Sequence, residues 1–139
     1  MSHVPISCSG RAMPISATRV GAWQCDLATE RLLWSDGVYD LFDLPRGSPV
    51  DREMAVDLYD PDSRAEMERL RARAIRDRTG FSVDALIWSA VGVDRWIRIT
   101  ARVECDRGRP VRLCGSKQDV TLEHLLWGGA RAVAEGRYC

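Results

Sequence analysis

The sequence predicts an α+β domain in which an antiparallel sheet carries a packed helix, and three observations predict it. Residues 94 to 121 read as two runs of alternating apolar and polar residues joined by Asp106-Arg107-Gly108-Arg109-Pro110. A period of two buries one face of a strand, and Asp, Gly and Pro supply a turn, so these residues form a hairpin. From Asp60 the period becomes helical: Met67, Leu70, Ala74 and Ile75 recur on one side, with Asp60 placed to cap and Pro61 suited to the first turn. Finally, Phe81, Val83, Ala85 and Ile87 alternate onto one face of a further strand.

Each element follows in chain order. Residues 1–19 mix Ser, Pro, Gly and Thr without sustained periodicity, which reads as a flexible leader or a flanking segment laid on the sheet. Residues 45–51 form a loop. The helix spans 61–79, with Gly80 ending it, and its other face carries mixed charges that suit water rather than phosphate. Strands are expected at 81–90, 94–105 and 110–119. By parity Ile97, Ile99, Ala101 and Val103 face the same interior as Val111, Leu113, Gly115 and Lys117. The opposite face carries Leu86, Trp88 and Trp96 beside Arg98, Arg102 and Arg112, more apolar surface than a monomer normally leaves to water. Either Val4 to Ala17 or a partner chain could cover it. After Thr121, Leu122, Leu125, Leu126 and Trp127 begin a short helical extension over 122–139, interrupted by Gly128-Gly129.

Composition bounds the function. The 139 residues suit one core, and twenty basic residues balance twenty acidic ones, so no field favours nucleic acid or an anionic membrane. No apolar run reaches 18 residues and the N-terminus lacks signal-peptide order, so a soluble, cytoplasmic chain is expected. The five cysteines show no zinc spacing. A turn at Arg107-Gly108 sets Cys114 opposite Ala101 and Cys105 beside Pro110, so these two should not pair; Cys25, Cys105 and Cys114 read as small buried hydrophobes. The only histidines, His3 and His124, lie in the leader and after the domain, so no catalytic triad is expected. Asp57, Asp60, Asp62 and Glu66 lack the order of a calcium loop and read as helix-start acidity. Neither a P-loop nor Gly-x-Gly-x-x-Gly occurs. No metal site and no enzyme are expected.

A strand ending in Gly115-x-x-x-Asp119-Val120-Thr121, with Arg95-Trp96 on the strand before it, resembles the C-terminal half of bacterial PAS sensor domains. The likeness continues upstream in family order. Gly21 to Leu27 looks like the first PAS strand and Arg31 to Ser35 the second. Val38 to Leu44 resembles the first short helix, and Leu58-Tyr59-Asp60-Pro61-Asp62-Ser63-Arg64 resembles the opening of the long helix. The resemblance implies a PAS domain over 20–121: a five-stranded antiparallel sheet with short helices and one long helix packed on its concave face.

It also implies a sensory module of the kind used in two-component regulation, in which a small ligand or partner alters the sheet and the C-terminal junction, Asp119 and Thr121, passes the change on. The candidate ligand pocket is Lys117, Ile99, Ile97, Leu113, Val83, Phe42, Tyr39 and Leu70. Lys117 stands where related flavin-binding domains place a glutamine, and it is expected to pair with a carboxylate, reach the rim, or meet the anionic part of a ligand. The cofactor is left unknown, with two kinds excluded. Histidine-ligated haem needs a core imidazole, and a flavin–cysteine adduct needs a cysteine that residues 50–64 lack. Two departures weaken any transfer of ligand identity: Val91-Gly92 replaces a usual Asp-Gly turn, and Ala85-Leu86 replaces a Tyr-Arg pair. A homodimer through Trp88, Trp96 and Leu86 is expected, with the effector unknown. The alternative is a dimerisation module with no ligand.

Overall fold

In the computed structural model, residues 19–127 are described. The leader, with Val4 to Ala17, and the extension from Gly128 lie outside them. The chain runs β1 (Val20–Asp26), β2 (Leu32–Trp34), α1 (Asp36–Phe42), α2 (Arg52–Val56), α3 (Pro61–Asp77), β3 (Gly80–Trp88), β4 (Asp94–Asp106), β5 (Arg109–Asp119) and α4 (Thr121–Trp127). The strands form one antiparallel sheet in the order β2-β1-β5-β4-β3. Closing the sheet through β1 and β5 brings the chain's beginning beside its end, so Val20 pairs with Gln118 and Asp26 with Arg112.

The α1–α3 side of the sheet holds the core. Phe81, Ala85, Ile87, Ile97, Ile99, Ala101 and Leu113 are buried there, against Val38, Leu41 and Phe42 of α1, Ala55 and Val56 of α2, and Met67 and Ala74 of α3. Asp60 caps α3 by accepting from the amides of Asp62 and Ser63, each at 3.1 Å, and Pro61 fills the first position. Asp51 caps the five-residue α2 in the same way, accepting from the amide of Met54. Among the described residues no helix is long and apolar enough to cross a membrane, and no group of three potential ligands converges on a metal position.

Gly80 has a different task from the helix stop expected of it. Arg78 ends α3 in the left-handed conformation (φ 57°), and Gly80 is already the first residue of β3. A Cβ at Gly80 would sit 2.4 Å from the carbonyl oxygen of Ala101 across the sheet, so close approach between strands requires the glycine.

The β4–β5 register resolves a conflict within the sequence. A two-residue turn at Arg107-Gly108 demands that Cys114 face Ala101, whereas the apolar pattern demands that Ala101 share a face with Gly115. The apolar pattern prevails: Ala101 pairs with Gly115 and Cys114 with Arg102. The turn forms as well, with positive φ at both Arg107 (55°) and Gly108 (78°), as a type I′ turn needs. A register shift between Glu104 and Cys105 absorbs the one-residue difference, leaving Cys105 opposite Pro110. The shift and the turn carry Cys105 into solvent as a free thiol, so the buried-hydrophobe reading fits Cys25 and not Cys105. Cys114 is buried and disulfide-bonded.

Candidate functional site

Lys117 is the centre of the interior. Its β5 position pairs with Ile99 on one side and Gly21 on the other, so the side chain rises from the middle of the sheet into the core. It is 8% exposed. Its Nζ lies 3.2 Å from the Tyr59 hydroxyl and 5.2, 5.7, 5.5 and 5.8 Å from the ring centres of Trp23, Trp34, Phe42 and Tyr59. No carboxylate among the described residues lies within 4.0 Å of it. Neither an internal ion pair nor a rim position therefore describes this lysine; the ring faces and the Tyr59 hydroxyl, which accepts from Nζ, supply its compensation among the described residues. Burial, aided by the charge of Arg52, lowers its pKa from 10.5 to about 8. Burial likewise pushes the Tyr59 hydroxyl well above its ordinary value.

The rings pack against one another as well as around the amine. Trp34 stacks on Phe42 at 5.0 Å and meets Tyr39 edge-on at 5.2 Å, and Phe42 lies 6.1 Å from Tyr59. The Tyr39 hydroxyl donates to the carbonyl of Ser48, which turns it away from the amine. The Trp23 indole donates to the carbonyl of Ser116 at 3.3 Å, whereas the Trp34 indole nitrogen is buried with no hydrogen-bond partner among the described residues. Of the other expected pocket residues, Ile97, Ile99 and Leu113 are fully buried in the floor, while Val83 and Leu70 pack half-buried at its margin.

The second cluster lies where β5 becomes α4. Asp119 accepts from the amide of Thr121 at 2.9 Å. The Thr121 hydroxyl accepts from the amide of Trp96 at 3.0 Å, and the amide of Val120 donates to the Trp96 carbonyl. Arg95, the other half of the Arg-Trp pair, turns inward. Its guanidinium donates to the Leu41 carbonyl at 2.7 Å and to Asp43 at 2.8 Å, and it comes within 3.9 Å of Asp119. One dipeptide thus ties the end of α1 to the start of α4.

The expected outer apolar face is divided. His124 stacks on Trp96 at 4.1 Å with the rings 6° from parallel, and its Nε2 lies 2.8 Å from Asp84. Arg98 bridges Asp84 and Glu123. Burial raises the Asp84 carboxyl, but hydrogen bonds from Arg98 and His124 outweigh it and leave the pKa lowered. The chain's own α4 therefore covers Trp96, Leu86 is half-buried, and Trp88 stays 39% exposed.

Sequence reasoning missed Trp23, Trp34 and Tyr59 as cage walls, and His124, Asp84 and Glu123 as the α4 anchor. One available signal was composition. Lys117 is the single lysine in the chain, against nineteen arginines.

No family model matches the chain. It is 28% identical over 113 residues to the sensor protein FixL of Bradyrhizobium diazoefficiens, a match covering 81% of this chain and 22% of that protein's length. Similar solved structures include the N-terminal domain of a diguanylate cyclase with PAS/PAC sensor from Marinobacter aquaeolei, with a TM-score of 0.69 and 20% identity, over 76% of this chain and 98% of that one. A sensory box histidine kinase/response regulator from Burkholderia thailandensis gives 0.67 and 20%, over 77% and 81%. The PAS domain of a Colwellia psychrerythraea protein gives 0.62 and 14%, over 74% and 87%. These structures, each with a TM-score of 0.62 or more, show that this chain has the fold of PAS sensor domains, and part of a sensor protein resembles it in sequence.

Proposed function

We propose that the chain is a non-catalytic sensory signalling module whose interior takes a small ligand with an anionic part at Lys117. Its state then reaches α4 through Asp119, Val120 and Thr121. The observation that supports this best is the spacing of two residues on one strand: Lys117 lies in the core with no carboxylate within 4.0 Å among the described residues, and Asp119 stands at the root of α4. A shift of Lys117 toward a ligand moves the same strand that holds the junction. The unpartnered Trp34 indole offers such a ligand a further donor.

Native mass spectrometry of the purified chain, with its UV-visible spectrum, tests the ligand. An acidic small molecule is expected to co-purify, and Lys117→Met should weaken its binding by about 10-fold or more, the loss of one charge-assisted hydrogen bond. Unchanged affinity rejects the role of Lys117.

A second reading, a dimerisation module with no ligand, draws support from the exposed Trp88. Burying one large apolar side chain contributes about 1.5–3 kcal/mol, and aromatic residues beside arginines make good anchors. The domain is then expected to sediment as a dimer, and Trp88→Ser should shift it toward monomer. A monomeric wild type rejects this reading. Trp96 is left unaltered in the test because it holds α4.

A further inference from the structure

Side-chain amine chemistry is confined to one position in this chain. Nineteen arginines supply the other cations and do not give up a proton, whereas Lys117 can. That position is walled by four rings and has no carboxylate within 4.0 Å among the described residues. The Tyr59 hydroxyl lies at hydrogen-bond distance, 3.2 Å away. A desolvated amine with a neighbouring hydroxyl and water-excluding walls has what a carbonyl group needs to be captured covalently.

We propose that Lys117 forms an imine with a small aldehyde or ketone admitted to the aromatic cage, with Tyr59 as the proton donor. The inference rests on the reading that the interior takes a small molecule, and it puts that molecule's carbonyl carbon, in place of its anionic part, at Nζ. The unprotonated Nζ attacks the carbonyl carbon, forming a C–N bond as the π pair moves to oxygen, and the resulting alkoxide takes a proton from the nitrogen. The carbinolamine hydroxyl then leaves as water, carrying a proton from Tyr59, while the nitrogen lone pair forms C=N. The nitrogen's last proton returns to the Tyr59 oxygen. One water is released, nothing is oxidised or reduced, and hydrolysis reverses the bond. The lowered pKa of Lys117, about 8, leaves part of the amine unprotonated near neutral pH.

The full chain is incubated with benzaldehyde and cyanoborohydride at neutral pH, and peptide mass spectrometry locates the reduced adduct. With a single lysine, the α-amino group is the only competing amine. Lys117 of the folded chain is expected to label at least about tenfold faster than the same lysine in chain unfolded by guanidinium, because only folding lowers its pKa. Tyr59→Phe should slow the labelling without moving its site, and Lys117→Arg should leave the α-amino adduct alone. Labelling of Lys117 that is absent, or no faster than in the unfolded chain, overturns the imine; an unchanged rate in Tyr59→Phe overturns its proton-donor part. Benzoate binding by native mass spectrometry separates the two levels. Benzoate that binds without aldehyde trapping sinks the imine alone, whereas failure of both probes sinks the ligand reading with it.

Discussion

Relative to Lys117→Met, the wild-type protein gains about 1.5 kcal/mol of stability as pH rises from 8 to about 9.5. The sign follows from the lowered pKa of Lys117. In that window the unfolded chain still holds the proton on this lysine while the folded chain has released it, so raising the pH favours the folded state. Well below pH 8 both states are almost fully protonated, and the cost of burying the ammonium is borne nearly in full. The Cys25 thiol, which burial pushes up, titrates in the same window with the opposite sign, but it is common to both proteins and drops out of the difference. Methionine has a similar unbranched chain and no charge, so Lys117→Met removes that cost. The surrounding rings stabilise the ammonium and reduce the gain, which leaves the variant more stable at pH 7 by about 1–2 kcal/mol. Urea denaturation across the pH series measures both effects. A difference between the two proteins that stays flat above pH 8, or a variant less stable at pH 7, contradicts them.

What the sequence revealed and what it hid divide along sequence distance. The β4–β5 hairpin and α3 are set by neighbours, so alternation over 94–119 and the helical period after Asp60 locate both to within two residues. The register of the hairpin needed one fact more. Two local rules conflicted by one residue, and the bulge at Glu104 and Cys105 let the apolar face win. The three-residue β2 and five-residue α2 are too short to show a period, and only the family likeness pointed to β2. The cage is harder still, because Trp23, Trp34, Phe42, Tyr59 and Lys117 are joined only by the strand order β2-β1-β5 and the helices that follow. Strand parity placed Lys117 inside but carried no information on what surrounds it.

The last helix reverses the usual reading of an amphipathic segment. Leucines at 122, 125 and 126 suggest a face that seeks the sheet, yet all three are exposed and the polar Glu123 and His124 face inward. Two features impose this rotation. The short junction after Asp119 fixes where α4 starts, and Arg98 with Asp84 on the outer strands present charges that Glu123 and His124 complement. Polar contacts rather than apolar burial hold this helix. Such contacts are individually modest and screened by salt, so α4 is expected to open more easily than the apolar core.

Arg95→Met is expected to cost about 3 kcal/mol and to loosen α4, which it does not touch directly. The guanidinium is 10% exposed and serves three clients: the Leu41 carbonyl in the last turn of α1, the Asp43 carboxylate, and Asp119. Methionine fills the space but leaves these acceptors without their donor. Asp43 reports the loss through pH. Burial pushes its carboxyl up, but hydrogen bonds from Arg95 and Ser89 and the charges of Arg95 and Arg19 hold it below the usual range. A depressed folded pKa contributes stability that is present above the unfolded value and lost as pH falls through the folded one. The gap between wild type and variant should therefore narrow on acidification below about pH 4. Amide exchange at His124, which donates to the carbonyl of Val120, should quicken as Asp119 loses its inner cation. Arg46→Met is the control, since its pair with Asp40 lies at the surface and should cost under about 1 kcal/mol. An Arg95 variant no less stable than the Arg46 variant, or unchanged exchange in α4, refutes the coupling of α1 to α4.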